Sequence, residues 1–475
     1  MSEAEELDLV VLGAGTGGYV AAVRAAQLGK KVAVIEEGKL GGTCLHKGCI
    51  PSKALLRSAE VYAEAKDGEA FGVETNGVTL NFDKVQARKE SVINKLHQGV
   101  QYLMKKGNIQ VYEGRGRILG PSIFSPSAGA ISVERSDGEE NDILIPKQVL
   151  IATGSKPNVL PGLKPDGERV FTSDEALDME ALPASMVIIG GGVIGIEWAS
   201  MLVDFDVEVT VIEAAPRILP FDDPDVSKEM KSRLEKRGVT FYEGAAVDAE
   251  KVTTAESVTV PFTQNEQDMQ VEAEAVLQSV GRRANIKDIG LENTDIETDR
   301  GVIVVNEFGQ TKESHMYAIG DVVGGLQLAH AASHEGITAV EHMFNENPDP
   351  NDESLIPRCT YSRPEAASIG LNEEEAEAHG YSVKTGKFSF QAVGKALVHG
   401  DAEGFCKVII NEANDDLLGV HIVGAKATEL ISEAALAKLL DASGLELAST
   451  IHPHPTLSEV IGEAALAVDG RQIHS

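Results

Sequence analysis

Two short stretches of this chain concentrate side chains able to do covalent and proton chemistry. In GKLGGTCLHKGCIPSK, residues 38–53, Cys44 and Cys49 lie five residues apart among three glycines, Gly41, Gly42 and Gly48. Far downstream, IHPHPTLSE, residues 451–459, sets His452 and His454 just before Glu459. The thiols have three readings: a redox couple, part of a metal site, or two unrelated buried cysteines. Structural zinc normally takes four ligands, with CxxC-type pairs, and no second Cys/His cluster with ligand spacing is present. A lone histidine is more often structural than catalytic. An imidazole with a carboxylate five residues on, however, makes a base with an orienting partner.

The elements that must position these groups announce themselves as an internal repeat. From Leu9 the chain reads LVVLGAGTGGYVAAVRAAQLGKKVAVIEEG, and from Met186 it reads MVIIGGGVIGIEWASMLVDFDVEVTVIEAA. Each copy predicts a strand, a glycine turn, a helix, a second strand and a terminal acid, which is the start of a βαβ unit. Gly13 to Glu36 and Gly190 to Glu213 are the same 23 residues apart. Gly13 and Gly190 allow the tight turn, Gly15 and Gly192 clear a path for a pyrophosphate, and Gly18 and Gly195 let helix approach strand. The helix N-terminus offers N–H groups and a positive dipole end to phosphate. Glu36 and Glu213 are placed to accept hydrogen bonds from a ribose diol. Two such sites imply two dinucleotides.

Glu213 would repel a 2′-phosphate, and Arg217 lies four residues on in a Pro-containing turn, so NAD is expected there rather than NADP. The first site, close to the N-terminus and followed at once by the cysteines, suits a tightly held FAD. That context favours the redox reading of the thiols. A helix beginning near Cys44 would carry both cysteines, one sulfur toward the flavin and the other outward. Its N-terminus would lower a thiol pKa, as thiol–disulfide exchange requires.

Bulk properties narrow the class. A chain of 475 residues suggests about three domains. With 74 Asp+Glu against 42 Lys+Arg, the formal net charge is −32. Such a surface repels phosphate backbones and excludes nucleic acid as a natural partner. It reads either as a strongly solvated surface or as adaptation to a salt-rich cytoplasm, where counterions screen self-repulsion. Four cysteines are too few for a disulfide scaffold of this size. The acidic start from Met1 to Asp8 has no signal-peptide pattern, and no run of about 18 apolar residues exists to span a membrane. The expectation is a cytoplasmic protein with no membrane partner.

GGTCLHKGCIPSK resembles the active-site segment of the class I pyridine nucleotide-disulfide oxidoreductases. The resemblance implies that Cys44 is the interchange thiol and Cys49 the charge-transfer thiol. It places Lys53 near the flavin, with Glu197 as its ion-pair partner. It extends over essentially the whole chain. IATGS, residues 151–155, with Thr153 and Gly154, resembles the passage from the FAD domain to the NAD domain. Gly281-Arg282-Arg283 resembles the return, with Ala284 where the family usually has Pro. MYAIGD, residues 316–321, resembles the second flavin motif, with Asp321 on the ribityl chain, and Ala329 and His330 begin the helix that approaches the isoalloxazine. HPHPTLSE resembles the catalytic segment, which makes His454 the base and Glu459 its partner. In the family that histidine reaches the disulfide of the other subunit, so a homodimer is implied. The chain departs from many relatives at His46 and Lys47, inside the redox loop.

The expected fold is α/β, with two Rossmann-like dinucleotide-binding domains and a C-terminal α+β dimerisation domain. The boundaries are 1–150 for FAD and the disulfide, 151–280 for NAD, 281–350 for the return to the FAD domain, and 351–475 for the interface. Among family activities the resemblance points to oxidation of dihydrolipoamide, with NAD⁺ reduced through FAD and no metal. Its partner is then dihydrolipoamide or a lipoyl-domain protein of a 2-oxo acid dehydrogenase or glycine-cleavage system. Glutathione- or mercuric-reductase-like enzymes are the rivals. The first usually use NADPH, and the second carry a further cysteine pair at the C-terminus, whereas no cysteine follows Cys406 here. A scaffolding flavoprotein is the non-enzymatic alternative, against which the set Cys44, Cys49, His454 and Glu459 argues.

Overall fold

The computed structural model describes residues 6–121, 129–135 and 140–474, so most of the acidic start lies outside the described residues. Two compact units are formed. The first gathers Met1–Ala54, Lys84–Asn158 and Arg282–Asp352, and the second Leu55–Asp83, Val159–Gly281 and Glu353–Ser475.

The first unit is organised by the strand Glu6–Leu12. It pairs in parallel with Val32–Glu36 on one side and Asp142–Ile151 on the other, with Leu12 opposite both Ile35 and Ile151. Gln110–Ile118 and Met316–Ala318 extend the parallel sheet at its two sides. Leu9, Val10 and Val11 are completely buried, because the sheet is covered on both faces. Leu9 and Val11 pack with Ala21, Ala22 and Ala25 of helix α1, Thr16–Gln27, and with Ala339 and Val340 of the helix Ala329–Met343. Val10 and Leu12 face the other way, toward Ile118, Ile131 and Val133. Period-two alternation therefore distributes one strand between two cores.

The redox stretch corrects an expectation. Cys44 and Cys49 do not share a helix: Cys44 lies in α2, Gly42–His46, and Cys49 begins α3, Cys49–Lys66. Pro51 supplies the reason. In one continuous helix its ring would clash with the Lys47 carbonyl, four residues back, and it has no N–H to offer that oxygen. The chain turns at Lys47 and Gly48 instead. The last bond of α2 runs from Lys47 N–H to Thr43 O, and Ser52 N–H then donates to Gly48 O. After α3 comes the long helix α4, Phe82–Lys106.

The second unit repeats the parallel architecture, with strands ordered Thr240–Glu243, Glu208–Glu213, Ser185–Ile189, Ala275–Gln278 and Val170–Thr172. Its later part is an antiparallel sheet ordered Arg358–Thr360, Glu365–Gly370, Leu417–Gly424, Phe405–Asn411 and Val383–Ser389. The helices Ala427–Leu439 and Glu459–Ala467 pack on it through Ile431, Val460 and Ile461, against Val408, Val420 and Ile422. The chain is thus α/β with two Rossmann-like halves and a C-terminal α+β region. Inside the second unit, Lys407 reaches Asp223 at 3.0 Å and Glu373 at 2.7 Å, and Asp223 is fully buried while capping the helix Pro224–Lys236. Among the described residues no helix is long and apolar enough to cross a membrane.

Candidate active site

The two glycine turns have matching geometry. Gly13 and Gly190 hold φ at +97° and +109°, a left-handed conformation that side chains resist. A Cβ on Gly18 would sit 2.0 Å from Gly13 O, and one on Gly195 would sit 2.0 Å from Gly190 O. By contrast, a Cβ on Gly15 or Gly192 would project into open space, where a pyrophosphate needs room. Each turn leads into a helix of 12 residues, Thr16–Gln27 and Val193–Asp204, whose first N–H groups point back at that space.

The terminal acids are already oriented. Glu36 Oε2 accepts the Ala14 N–H at 2.7 Å and Oε1 accepts Gly38 N–H at 2.8 Å. Glu213 does the same, accepting Gly191 N–H at 2.5 Å and Ala215 N–H at 2.6 Å. Each carboxylate is fixed beside its turn before a ribose arrives, so little rotamer freedom remains to be lost on binding. Arg217, the next basic residue in sequence, pairs with Glu374 at 3.0 Å, a carboxylate rather than a 2′-phosphate. Both turns therefore fit dinucleotides, and the second fits NAD.

The redox loop lies directly on the first turn. Gly41 N–H donates to Ala14 O at 2.8 Å, and a Cβ on Gly42 would meet Gly15 Cα at 2.5 Å. Both cysteines are thiols in this structure, and the Cys44 thiol hydrogen-bonds to Cys49. That bond, then burial, then the negative charge Cys49 acquires on ionising, drive the Cys44 pKa strongly upward, while Lys53 acts in the opposite sense. The net direction for Cys44 is opposite to the lowering expected of a helix N-terminus. Tyr19 of α1 faces Cys44, and burial followed by that thiol raises its phenol pKa.

Other first-unit residues singled out above cluster by tertiary contact. Asp321 accepts a hydrogen bond from the Ser155 hydroxyl, and Arg282 donates to Ser155 Oγ at 2.8 Å. Thr153 Oγ1 donates to Asn285 O at 2.9 Å, and Asn285 N–H returns to Gly154 O at 2.8 Å. Gly320 N–H donates to Glu335, on the helix that begins at Ala329. Ser155 and Arg282 fall in the IATGS and Gly281-Arg282-Arg283 segments, whereas Asn285 and Glu335 are not apparent in sequence, because their partners lie far along the chain.

His454, Glu459, Glu197 and Gly281 belong to the second unit, whereas Cys44, Cys49 and Lys53 belong to the first. The His454 Nδ1–H donates to Glu459 Oε1 at 2.8 Å, and Thr456 N–H donates to Glu459 Oε2 at 2.9 Å. This leaves His454 Nε2 as the basic nitrogen. Burial pushes the Glu459 pKa up, but the His454 and Thr456 hydrogen bonds and the nearby imidazoles outweigh it, and the net shift is downward. His452 forms a second dyad with Glu433 of the helix Ala427–Leu439, at 2.7 Å. Its ring packs over Gly462, where a Cβ would meet it at 3.0 Å. Glu197 is buried and accepts Tyr361 N–H at 2.9 Å.

Residues 7–336 match the pyridine nucleotide-disulphide oxidoreductase family, and residues 356–465 match its dimerisation domain. A dihydrolipoyl dehydrogenase of Bacillus subtilis (strain 168) is 64% identical over 472 residues, covering 99% of this chain and 100% of the relative. One from Zymomonas mobilis is 42% identical over 473 residues, covering 99% of this chain and 100% of the relative. Among solved structures, LpdA of Mycobacterium tuberculosis has a TM-score of 0.89 at 28% identity, covering 96% of this chain and 98% of that one. The HOCl-induced flavoprotein disulfide reductase RclA of Escherichia coli has a TM-score of 0.84 at 26% identity, covering 96% of this chain and 99% of that one.

Proposed function

Since the chain belongs to the pyridine nucleotide-disulphide oxidoreductase family, we propose that Cys44, Cys49, His454 and Glu459 carry its reaction, the oxidation of dihydrolipoamide to lipoamide with reduction of NAD⁺ through FAD. The observation that carries this assignment is the Cys44–Cys49 contact on a loop packed against the first glycine turn. Gly13, Gly15, Gly18, Glu36, Lys53, Thr153, Gly154, Asp321 and Ala329 would hold FAD. Gly190, Gly192, Gly195 and Glu213 would serve NAD, while Glu197 and Gly281 keep the roles the resemblance gives them, the ion-pair partner of Lys53 and the return toward the flavin. When bound, FAD supplies two-electron transfer between the reduced cysteine pair and the nicotinamide.

His454 Nε2 takes a proton from one substrate thiol, and Glu459 stabilises the resulting imidazolium. The substrate thiolate attacks Cys44 of the Cys44–Cys49 disulfide, and Cys49 leaves as the thiolate. The second substrate thiol then attacks the sulfur of its own mixed disulfide, which closes lipoamide and expels Cys44. The Cys49 contact and burial push the Cys44 thiol up, and as the charge-transfer thiol of the resemblance Cys49 would carry the negative charge of the reduced pair.

The dimerisation domain supports a homodimer in which His454 of one copy serves the cysteines of the other, a symmetric assembly. The same reading assigns 1–150 and 281–350 to the flavin, 151–280 to NAD and 351–475 to the interface. It makes the enzyme a cytoplasmic one serving a lipoyl-bearing complex. The acidic surface supports adaptation to high salt, which an unfolding series against KCl tests. Equal stability at low and high salt counts against it.

Cys49→Ser tests the electron route. Lipoamide turnover is expected to vanish while flavin binding persists, and retained turnover overturns the assignment. Mixing Cys44→Ser chains with His454→Gln chains tests the dimer. Random pairing restores about a quarter of the sites if the histidine acts between copies, and none if it acts within one.

A further inference from the structure

His46 lies inside the redox loop, two residues after Cys44 and three before Cys49. Its Nε2–H donates to the Leu40 carbonyl at 2.9 Å, and His97 of α4 donates its Nδ1–H to the same oxygen at 2.9 Å. A carbonyl only accepts, so both tautomers follow from the geometry, and Nδ1 is the proton-binding nitrogen of His46. The two rings meet edge to face with centroids 5.2 Å apart. Leu40 immediately precedes Gly41 and Gly42, which rest on the first dinucleotide turn. One oxygen therefore ties the loop of the redox pair to α4, and the reaction described above uses neither imidazole.

We propose that His46 and His97 clamp Leu40 and make the redox loop proton-sensitive, His46 binding a proton more readily when the Cys44–Cys49 pair is reduced. This rests on that pair being the redox couple. Reduction breaks the S–S bond and takes two electrons from dihydrolipoamide. Of its two protons, one stays on Cys44 and the other leaves through His454 to solvent. Cys49 is left as a thiolate, and the extra proton taken by His46 comes from solvent. Binding is reciprocal, so a proton on His46 favours the reduced pair.

The surroundings of His46 set the balance. Burial disfavours its charged form, the Leu40 hydrogen bond favours it, His97 and Lys39 disfavour it, and Glu90 favours it; the net direction is downward. Glu90 itself pairs with Lys89 at 3.2 Å. On the sulfur side, Lys53 and Tyr19 face Cys44. The new charge on reduction is the thiolate of Cys49.

The test follows His46 in the wild-type holoenzyme by imidazole C2–H exchange read by mass spectrometry, oxidised and after reduction with dihydrolipoamide without NAD⁺. Its proton affinity is expected to rise about threefold or more on reduction, the low end for a unit charge in a half-buried loop. Superimposable titrations in the two states overturn the proposal. In a second arm, the disulfide midpoint potential of wild type falls more steeply with rising pH through the imidazole range than that of His46→Asn. Parallel slopes also overturn it. Either result with an inactive Cys49→Ser sinks only this inference, whereas an active Cys49→Ser removes the redox assignment beneath it.

Discussion

Glu459→Gln isolates what the carboxylate does for His454. The wild-type carboxylate uses one oxygen for the His454 Nδ1–H at 2.8 Å and the other for Thr456 N–H at 2.9 Å. Glutamine keeps a single acceptor. If its oxygen stays with Thr456, its NH₂ faces Nδ1, the ring proton moves to Nε2, and the basic nitrogen is blocked. If the oxygen follows His454, two N–H groups confront each other at Thr456. A hydrogen bond to a charged group contributes about 1.5–3 kcal/mol. The His454 side chain is 76% exposed in a single chain, and solvent screening sets the expectation at the lower end. About 1.5–2 kcal/mol corresponds to a tenfold to thirtyfold fall in kcat/KM for dihydrolipoamide. NADH formation followed across the imidazole range measures it, alongside flavin content and thermal unfolding. A variant within threefold of wild type at every pH, with unchanged melting, refutes the orienting role.

Three further expectations concern the supporting structure. Gly195→Ala forces a Cβ to 2.0 Å from Gly190 O and 2.7 Å from Ser279 Oγ, so KM for NAD⁺ rises at least about tenfold while flavin content is unchanged; an unaltered KM contradicts the close approach. His452 has its pKa raised chiefly by the Glu433 hydrogen bond. Its stabilisation is therefore complete below the unfolded value of about 6.5 and lost as pH rises through the folded value. Glu433→Gln accordingly lowers Tm most in acid and least above neutrality, and a pH-independent gap counts against the dyad. Lys407→Met leaves fully buried Asp223 without its cation, which costs about 3–5 kcal/mol in urea unfolding; a loss below about 1 kcal/mol shows that Asp223 is satisfied by N–H groups alone.

The parts of this molecule readable from sequence are those whose chemistry is local. A phosphate turn needs glycine at fixed offsets and an acid one strand later, so Gly13 to Glu36 and Gly190 to Glu213 could be placed on their strands and helices directly. The break between the helices of Cys44 and Cys49 is not legible from their spacing, because spacing alone does not distinguish a continuous helix from two meeting at a break; Pro51 is the local sign of it. Cys44 acidity depended on which atom touches the sulfur, and a helix-end argument could not supply that. His97, Glu433 and Asn285 carry no local mark. They matter only because α4, the helix Ala427–Leu439 and the return segment fold back on residues far away in the chain. The first unit is assembled from three separated segments, and hydrophobic periodicity does not say which segments rejoin.

The contact of Gly42 with Gly15 leaves no slack between the floor of the cofactor groove and the base of the sulfur loop. Any displacement of that floor is handed straight to Cys44, two residues farther on, as through a rigid lever. A methyl group at Gly42 would press on the Gly15 backbone without touching a sulfur. Drift in the sequence is therefore constrained at Gly42, which cannot grow unless the Gly15 backbone withdraws.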